Sequence, residues 1–326
     1  MKILLTGANG YIGMRLLPQL LGEGHQVVCA VRDATRLSVD EETRQQLEII
    51  EVDFLAEPQP GLFPADLDAA YYLIHSMSSS TTDFDEREAL SARNFNTYME
   101  AAGPRQVIYL SGIVNEEKLS KHLRSRKQVE DILYEGPFNL TVLRAGIIVG
   151  SGSSSFEIIR DLCEKLPVMI TPKWVLTRTQ PIAIRDVIRF LSGVLGREDT
   201  FGQSFDIGGS DVLTYKDMLK GYARVRGFRN WILTVPVMTP KLSSYWLYFV
   251  TSTSYKLAVN LVDSMKMEVV ARDNRLAEML GIETHSYEEA IDMAFKKIEQ
   301  NLGVSSWKDS MVRGGLDGSL DKYIQV

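Results

Sequence analysis

Cysteine is nearly missing from this chain, which holds only Cys29 and Cys163 among 326 residues. Two cysteines build no disulfide framework, and without a CxxC or a Cys/His cluster there is no metal-ligand spacing. The bland expectation is a pair of reduced thiols in a cytoplasmic protein. Basic excess is lacking too. Lys and Arg number 36 against 42 Asp and Glu, a net charge of −6, which argues against nucleic acid as a partner. No run of about 18 uninterrupted apolar residues occurs, so a transmembrane helix is not expected. The first strand signal starts at Lys2 and leaves no room for a signal peptide. There is no internal repeat and no low-complexity tract. What remains is an ordinary globular composition, 45% hydrophobic and 24% charged. Its length suits one large domain, or a nucleotide-binding domain carrying a smaller lobe.

The informative stretch is the beginning. Ile3 to Leu5 is a short apolar run of buried-strand type. Thr6-Gly7-Ala8-Asn9-Gly10-Tyr11-Ile12-Gly13 follows, and Met14 to Leu21 then has helical periodicity. Strand, glycine turn and helix in that order meet the requirement of a dinucleotide site. Gly7 permits the tight turn, Gly10 lets a pyrophosphate approach the backbone, and Gly13 lets the helix lie close to the strand.

Alternation continues along the chain. Strands are predicted at 25–32, 47–53, 69–75, 106–111 and 139–144, with helices at 86–102 and 120–134. Six βα steps in series imply an α/β fold, a Rossmann-type doubly wound parallel sheet with helices on both faces. Ligands then lie beyond the carboxyl ends of the strands. Past Arg144 the pattern becomes irregular, with a helix at 156–166, a short strand at 168–170, a segment Gln180 to Val187 leading into a helix that runs to about Leu195, and a further strand with a turn at 205–209. From Thr214 onward the signals are mainly helical. The expected division is a nucleotide-binding domain over 1–210, whose residues 155–180 contribute to a substrate cleft. A helical substrate lobe over 211–303 and an extended tail over 304–326 complete it. Residues 231–262 are rich in Trp, Tyr, Phe and Leu. They read as a greasy helical lobe over the cleft, with contact to a membrane surface as the weaker alternative.

The glycine turn resembles the fingerprint of extended and atypical short-chain dehydrogenase/reductases. Tyr109-Leu110-Ser111-Gly112, Leu143 to Gly150, Gln180 to Val187 and Asp273 to Gly281 stand at that family's usual places. The chain is most similar to an atypical, NAD(P)H-binding, epimerase-like subgroup, the YbjT-like proteins. The resemblance implies cofactor contacts from Thr6, Gly7, Asn9, Gly10, Tyr11, Ile12 and Gly13 in the turn. It adds Asp53 and Phe54 at the end of the third strand, Ile74 and His75 at the end of the fourth, then Lys127 and Ile147. It also implies substrate contacts from Ser76, Gly112, Trp174, Arg178 and Gln180.

Residue chemistry sharpens the cofactor. NAD-preferring sites place an acidic residue after the second strand, but here Arg32 comes first and Asp33 only after it. A guanidinium suits a 2′-phosphate, so NADP(H) is favoured over NAD(H); the alternative for Arg32 is a solvated surface arginine. The family's catalytic parts are a serine after the fifth strand and a Tyr-x-x-x-Lys pair on the next helix. Ser111 and Lys127 match, but Leu123 stands at the tyrosine position, and leucine carries no proton. His75 is the first candidate substitute, with an unperturbed pKa near 6.5; its alternative is a histidine hydrogen-bonded at a strand end. His122 reads as surface, and Tyr11 as packing on the cofactor or pocket. Arg124 and Arg126 read as a solvated basic face, or with Arg178 as an anchor for an anionic substrate.

Two functions follow from these features. One is an NADP(H)-dependent oxidoreductase or epimerase-like protein, moving a hydride to or from a carbonyl- or quinone-like small molecule without the usual tyrosine. The other is a non-catalytic dinucleotide sensor or assembly protein.

Overall fold

The computed structural model describes residues 1–75, 84–113, 121–235 and 265–299. Strand β1 (Lys2–Thr6) is a continuous apolar run because both of its faces are covered. Ile3 and Leu5 enter the core on one side and Leu4 the core on the other, all three fully buried. That two-sided burial is the condition of a central parallel strand. After it come α1 (Gly13–Gly22), β2 (Gln26–Val31), α2 (Glu41–Gln45), β3 (Leu47–Glu51), β4 (Ala69–Tyr72), α3 (Phe84–Ala102), β5 (Gln106–Gly112), α4 (Lys121–Tyr134) and β6 (Asn139–Ala145). These strands pair in parallel in the order β3-β2-β1-β4-β5-β6. The doubly wound sheet expected from the sequence is therefore the fold, with its switch point between β1 and β4.

The chain then leaves the sheet through β7 (Ile148–Val149), α5 (Ser154–Lys165), β8 (Val168–Thr171), β9 (Arg178–Thr179) and β10 (Ile182–Ala183). It returns by α6 (Ile184–Gly193) and β11 (Gln203–Ile207), which pairs in parallel with β6. The sheet thus has seven strands rather than six. The 203–207 stretch is short and alternates polar Ser204 and Asp206 with apolar Phe205 and Ile207, so it lacks the continuous apolar run that marks a strand of the parallel sheet.

Beyond it lie β12 (Leu213–Thr214), α7 (Tyr215–Arg226), β13 (Trp231–Thr234), α8 (Arg275–Leu280) and α9 (Tyr287–Glu299). One face of the sheet packs on α1, α6 and α8, and the other on α3 and α4. A third apolar cluster joins Phe156 and Leu162 of α5, Met218 and Tyr222 of α7, and Ile291 and Phe295 of α9. Trp231–Thr234 departs from the helical expectation. It is a strand paired in parallel with β8, as the β-branched and aromatic content of Trp-Ile-Leu-Thr allows. The rest of 231–262, the tail 304–326, Ser76, and the side chains of His122 and Leu123 fall outside the described residues. Among those that are described, no helix is long and apolar enough to cross a membrane, and no cluster of His, Cys, Asp and Glu is arranged to hold a metal ion.

One buried carboxylate ties the late chain to the sheet. Asp186, in the first turn of α6, is fully buried. It accepts hydrogen bonds from the His285 backbone N–H at 2.8 Å, from His285 Nδ1 at 2.8 Å and from Arg189 Nη1 at 3.2 Å. Removing Asp186 leaves the His285 backbone N–H and ring nitrogen without their acceptor, at a cost of about 1–3 kcal/mol. Asp186→Ala should lower the urea-unfolding free energy by roughly that amount, and Asp186→Asn, which keeps an acceptor, by less.

Candidate functional site

The turn after β1 leaves no room for side chains at two glycines. Gly7 has φ +64°, and a Cβ there would stand 2.8 Å from the Leu73 carbonyl oxygen. At Gly13 a Cβ would lie 2.3 Å from the Gly7 oxygen and 2.8 Å from Ala8 Cα. The close approach at Gly13 is therefore to the turn itself, not to the strand. The Gly10 N–H donates to the Gly7 oxygen at 2.8 Å, which closes the turn. Thr6 is buried and anchors the turn to β4, donating to the Tyr71 oxygen at 2.9 Å and accepting from the Leu73 N–H at 3.1 Å. At the start of α1, Ile12 supplies no side-chain cap, and the first turn carries no acidic residue. Its N–H groups and positive dipole end are left for an anion. Those features fit a bound pyrophosphate.

Tyr11 turns away from the row of strand ends. The Arg15 guanidinium lies 3.9 Å over its ring and donates to the Tyr11 and Ser151 carbonyls, each at 2.8 Å. The Tyr11 hydroxyl is buried beside Gly150, where a Cβ would be 2.6 Å from it, and it makes no hydrogen bond among the described residues. Burial pushes this phenol up to about 12, so it stays protonated at neutral pH.

At the adenosine end, Arg32 follows β2, is exposed, and makes no ion pair among the described residues. Asp33 is engaged locally. It caps the short turn at Ala34–Arg36, accepting from the Thr35 N–H at 2.9 Å and the Thr35 hydroxyl at 2.5 Å. Asp53 is exposed after β3 and accepts from the Leu55 N–H at 3.0 Å. Phe54 is buried in the core on the α3 side, and its carbonyl accepts from Asn94 Nδ2 at 2.8 Å.

At the other end a polar cluster lies between β4, β5 and the helices over them. His75 Nδ1 is 2.7 Å from Glu88 Oε1, and Ser125 Oγ donates to Glu88 Oε2 at 2.6 Å. Arg126 Nη1 donates to the Leu110 carbonyl at 3.2 Å and to the Tyr109 hydroxyl at 3.5 Å. Alternation along β5 puts Tyr109 and Ser111 on the face toward α4. Ser111 Oγ is buried and makes no hydrogen bond among the described residues. Burial lowers the His75 pKa and the Arg126 charge lowers it further, against the pull of Glu88. Burial alone would raise Glu88, but the bonds from His75 and Ser125 and the charges around it hold it well below the usual carboxylate range. A neutral imidazole donating Nδ1–H to a carboxylate satisfies both directions.

This cluster corrects the view of Arg126 as a solvated residue. Glu88 and Ser125 carry no role assigned from the sequence, and Tyr109 enters only as part of a motif, yet a signal is present. Glu88, Ala92, Phe95 and Met99 fall on one helical face, as do Ser125, Val129 and Ile132, so a carboxylate stood in an apolar stripe. Lys127 lies just outside the cluster. Its ammonium pairs with Asp131 and is 3.8 Å from Glu130, which in turn holds Arg144.

The remaining expected residues are more dispersed. Ile74 follows β4, Gly112 ends β5 and Ile147 follows β6; the Ile147 carbonyl accepts from the Ile182 N–H at 2.8 Å. Asn9 is half-buried in the turn. Trp174 packs edge-on to Tyr215 at 6.0 Å with its indole N–H buried and without a partner among the described residues. Arg178 is exposed, 3.8 Å from Glu268. Gln180 bridges two backbone segments, donating to the Gly209 oxygen at 2.7 Å and accepting from the Ala271 N–H at 2.9 Å. What the fold does bring into one row is Asp53, Arg32, the glycine turn, His75 and Ser111, at the carboxyl ends of β3, β2, β1, β4 and β5. Four strand steps span about 19 Å.

A glycine turn at the switch point of a doubly wound sheet defines a dinucleotide-binding Rossmann protein. Residues 7–165 match the NAD(P)H-binding family model. The chain is 26% identical over 275 residues to the photosystem II assembly factor Ycf39 of Cyanophora paradoxa, covering 81% of this chain and 79% of that one. It is 21% identical over 254 residues to the chloroplastic divinyl chlorophyllide a 8-vinyl-reductase of Arabidopsis thaliana, covering 72% of this chain and only 60% of the reductase. Among solved structures, an NADPH-dependent quinone oxidoreductase of Escherichia coli complexed with NADPH superposes with a TM-score of 0.70 at 16% identity, over 90% of this chain and 99% of that one. A UDP-glucuronic acid 4-epimerase of Bacillus cereus gives 0.66 at 18% identity, over 92% and 100%. These likenesses show the fold.

The His75–Glu88 pair makes stability depend on pH. His75 is held neutral in the fold, whereas the unfolded chain takes up that proton below about pH 6.5. Acidification below that point therefore weakens the fold. The depressed Glu88 carboxyl adds a second loss as pH falls below about 4.3 and through its folded value. Urea unfolding of the wild type should lose stability as pH falls below about 6.5. His75→Gln should show a flatter profile in that window, and parallel curves would exclude a neutral, buried His75.

Proposed function

We propose that this chain binds NADP(H) and transfers a hydride between the nicotinamide and a carbonyl- or quinone-like small molecule, using His75 where the family has a tyrosine. The observation that carries the cofactor assignment is the pair Arg32 and Asp33. The guanidinium is exposed and without an ion pair among the described residues, while the carboxylate beside it caps its own turn. A 2′-phosphate then meets a cation, and a ribose 2′-hydroxyl lacks the acceptor that NAD sites offer. Asp53 is exposed beyond β3, where it accepts the adenine amino group.

The cofactor, when bound, supplies the hydride acceptor or donor. The chain supplies orientation and the proton. Ser111 Oγ donates to the substrate oxygen. His75 acts as a base, because a neutral imidazole can take the proton of a substrate hydroxyl, and Glu88 at 2.7 Å then stabilises the imidazolium. The lowered His75 pKa favours that direction at neutral pH over donation to a carbonyl. Lys127 reaches the nicotinamide ribose by exchanging its Asp131 partner. Trp174, Arg178 and Gly112 line the substrate side. The described residues from β12 to α9 close it.

The likeness to an assembly factor favours a second reading, in which the dinucleotide is bound and not turned over. Two measurements separate these. Calorimetry should show NADPH binding more tightly than NADH. Arg32→Ala should weaken NADPH by about 10- to 100-fold, the worth of one charge-assisted hydrogen bond, and leave NADH nearly unchanged. Absence of NADPH binding would overturn the proposal. NADP+ reduction with a panel of secondary alcohols that disappears in His75→Gln, with cofactor affinity retained, supports catalysis; binding without turnover of alcohols, quinones or ketones supports the second reading.

A further inference from the structure

Outside the main sheet, β8 and β13 form a two-stranded sheet whose outer face is apolar. Trp231 pairs with Val168 and Leu233 with Ile170. Residues two apart on a strand share a face, so these four side chains form a square. They are 71%, 52%, 55% and 51% exposed, respectively. The opposite face behaves normally, with Met169 fully buried in the lobe core and Ile232 packed against it. Four adjoining large apolar groups open to water, one of them tryptophan, mark an interaction surface.

The charges at its two ends indicate what occupies it. Arg229, two residues before Trp231, and Lys173, two residues after Thr171, are exposed and make no ion pair among the described residues. Lys220 on α7 has the same character. The nearby carboxylates are already engaged: Asp161 pairs with Lys165 at 3.2 Å, and Glu164 accepts from the Tyr222 hydroxyl at 2.7 Å. The molecule as a whole carries −6, yet beyond a Debye length of about 10 Å that charge is screened, and the local cations act on whatever the face touches. A tryptophan-bearing apolar square flanked by unpaired cations has the chemistry of an interfacial membrane contact, aromatic and aliphatic groups entering the headgroup region and cations facing anionic lipid.

We infer that the outer face of the β8–β13 sheet docks reversibly on anionic lipid bilayers. This surface is independent of the dinucleotide site, and its test does not rest on the hydride-transfer reading. Co-sedimentation of the full chain should show binding to vesicles of phosphatidylcholine and phosphatidylglycerol. It should be weaker on phosphatidylcholine alone and weaken as salt rises. Trp231→Thr with Leu233→Thr keeps strand-forming residues and should reduce the partition coefficient at least about tenfold. Arg229→Glu with Lys173→Glu should reduce binding to the anionic vesicles by roughly fivefold or more per site. Unchanged NADPH affinity and circular dichroism in both variants serve as the check on folding. No binding to either vesicle, or binding that both variants retain, would overturn the inference. So would concentration-dependent self-association by sedimentation velocity that Trp231→Thr/Leu233→Thr abolishes without any vesicle binding, which would make the face a contact between copies of the chain.

Discussion

The architecture hinges on the absence of two Cβ atoms. Gly7 adopts a left-handed conformation against the Leu73 carbonyl, and Gly13 sits within contact distance of Gly7 and Ala8. This closeness turns the chain from β1 into α1 over only a few residues. It brings the helix start to the switch point of the sheet. With Thr6 fastening the turn to β4, the N–H groups at the head of α1 become a fixed anion site rather than a mobile loop. The rest of the row, from Asp53 to Ser111, is placed relative to that point by parallel strand pairing.

Buried carboxylates do a second kind of work. Glu88 holds His75 and Ser125, Asp186 holds His285 and Arg189, and Glu130 holds Arg144. Each joins elements distant in sequence, and each is tolerable inside the protein because its oxygens are matched by donors. The Glu88 cluster differs from the other two in lying beside Ser111, at the carboxyl ends of β4 and β5. There, a group with a displaced proton affinity is of use to chemistry.

Much of the fold was legible because its signals are local. Apolar runs bounded by Gly or Pro located six parallel strands, and the glycine spacing with its strand and helix context located the turn. The strand at 205–209 was legible, but its place as the seventh of the main sheet was not, since Gln203–Ile207 acquires that place only by pairing with β6. Trp231–Thr234 was misassigned to a helical lobe because its apolar neighbours in sequence outweighed its β-forming residues; its partner lies sixty residues earlier in β8. At the candidate site, Arg32, Ser111 and His75 were visible from position alone. Glu88 and Ser125 were not, because their importance comes from facing one another across two helices. Gln180 shows the converse: a residue noted for its place in a motif has both ends of its amide bound to backbone.

The central claim is that a single row of strand ends binds NADP(H), with the adenosine phosphate at Arg32 and the reacting end between Ser111 and His75. A crystal structure of the full chain with NADPH tests it most directly. The account predicts the 2′-phosphate within hydrogen-bonding distance of the Arg32 guanidinium, the pyrophosphate on the N–H groups of Tyr11 to Gly13, and the nicotinamide beside Ser111 Oγ. Density placing the 2′-phosphate in solvent, or the nicotinamide away from Ser111 and His75, would contradict it.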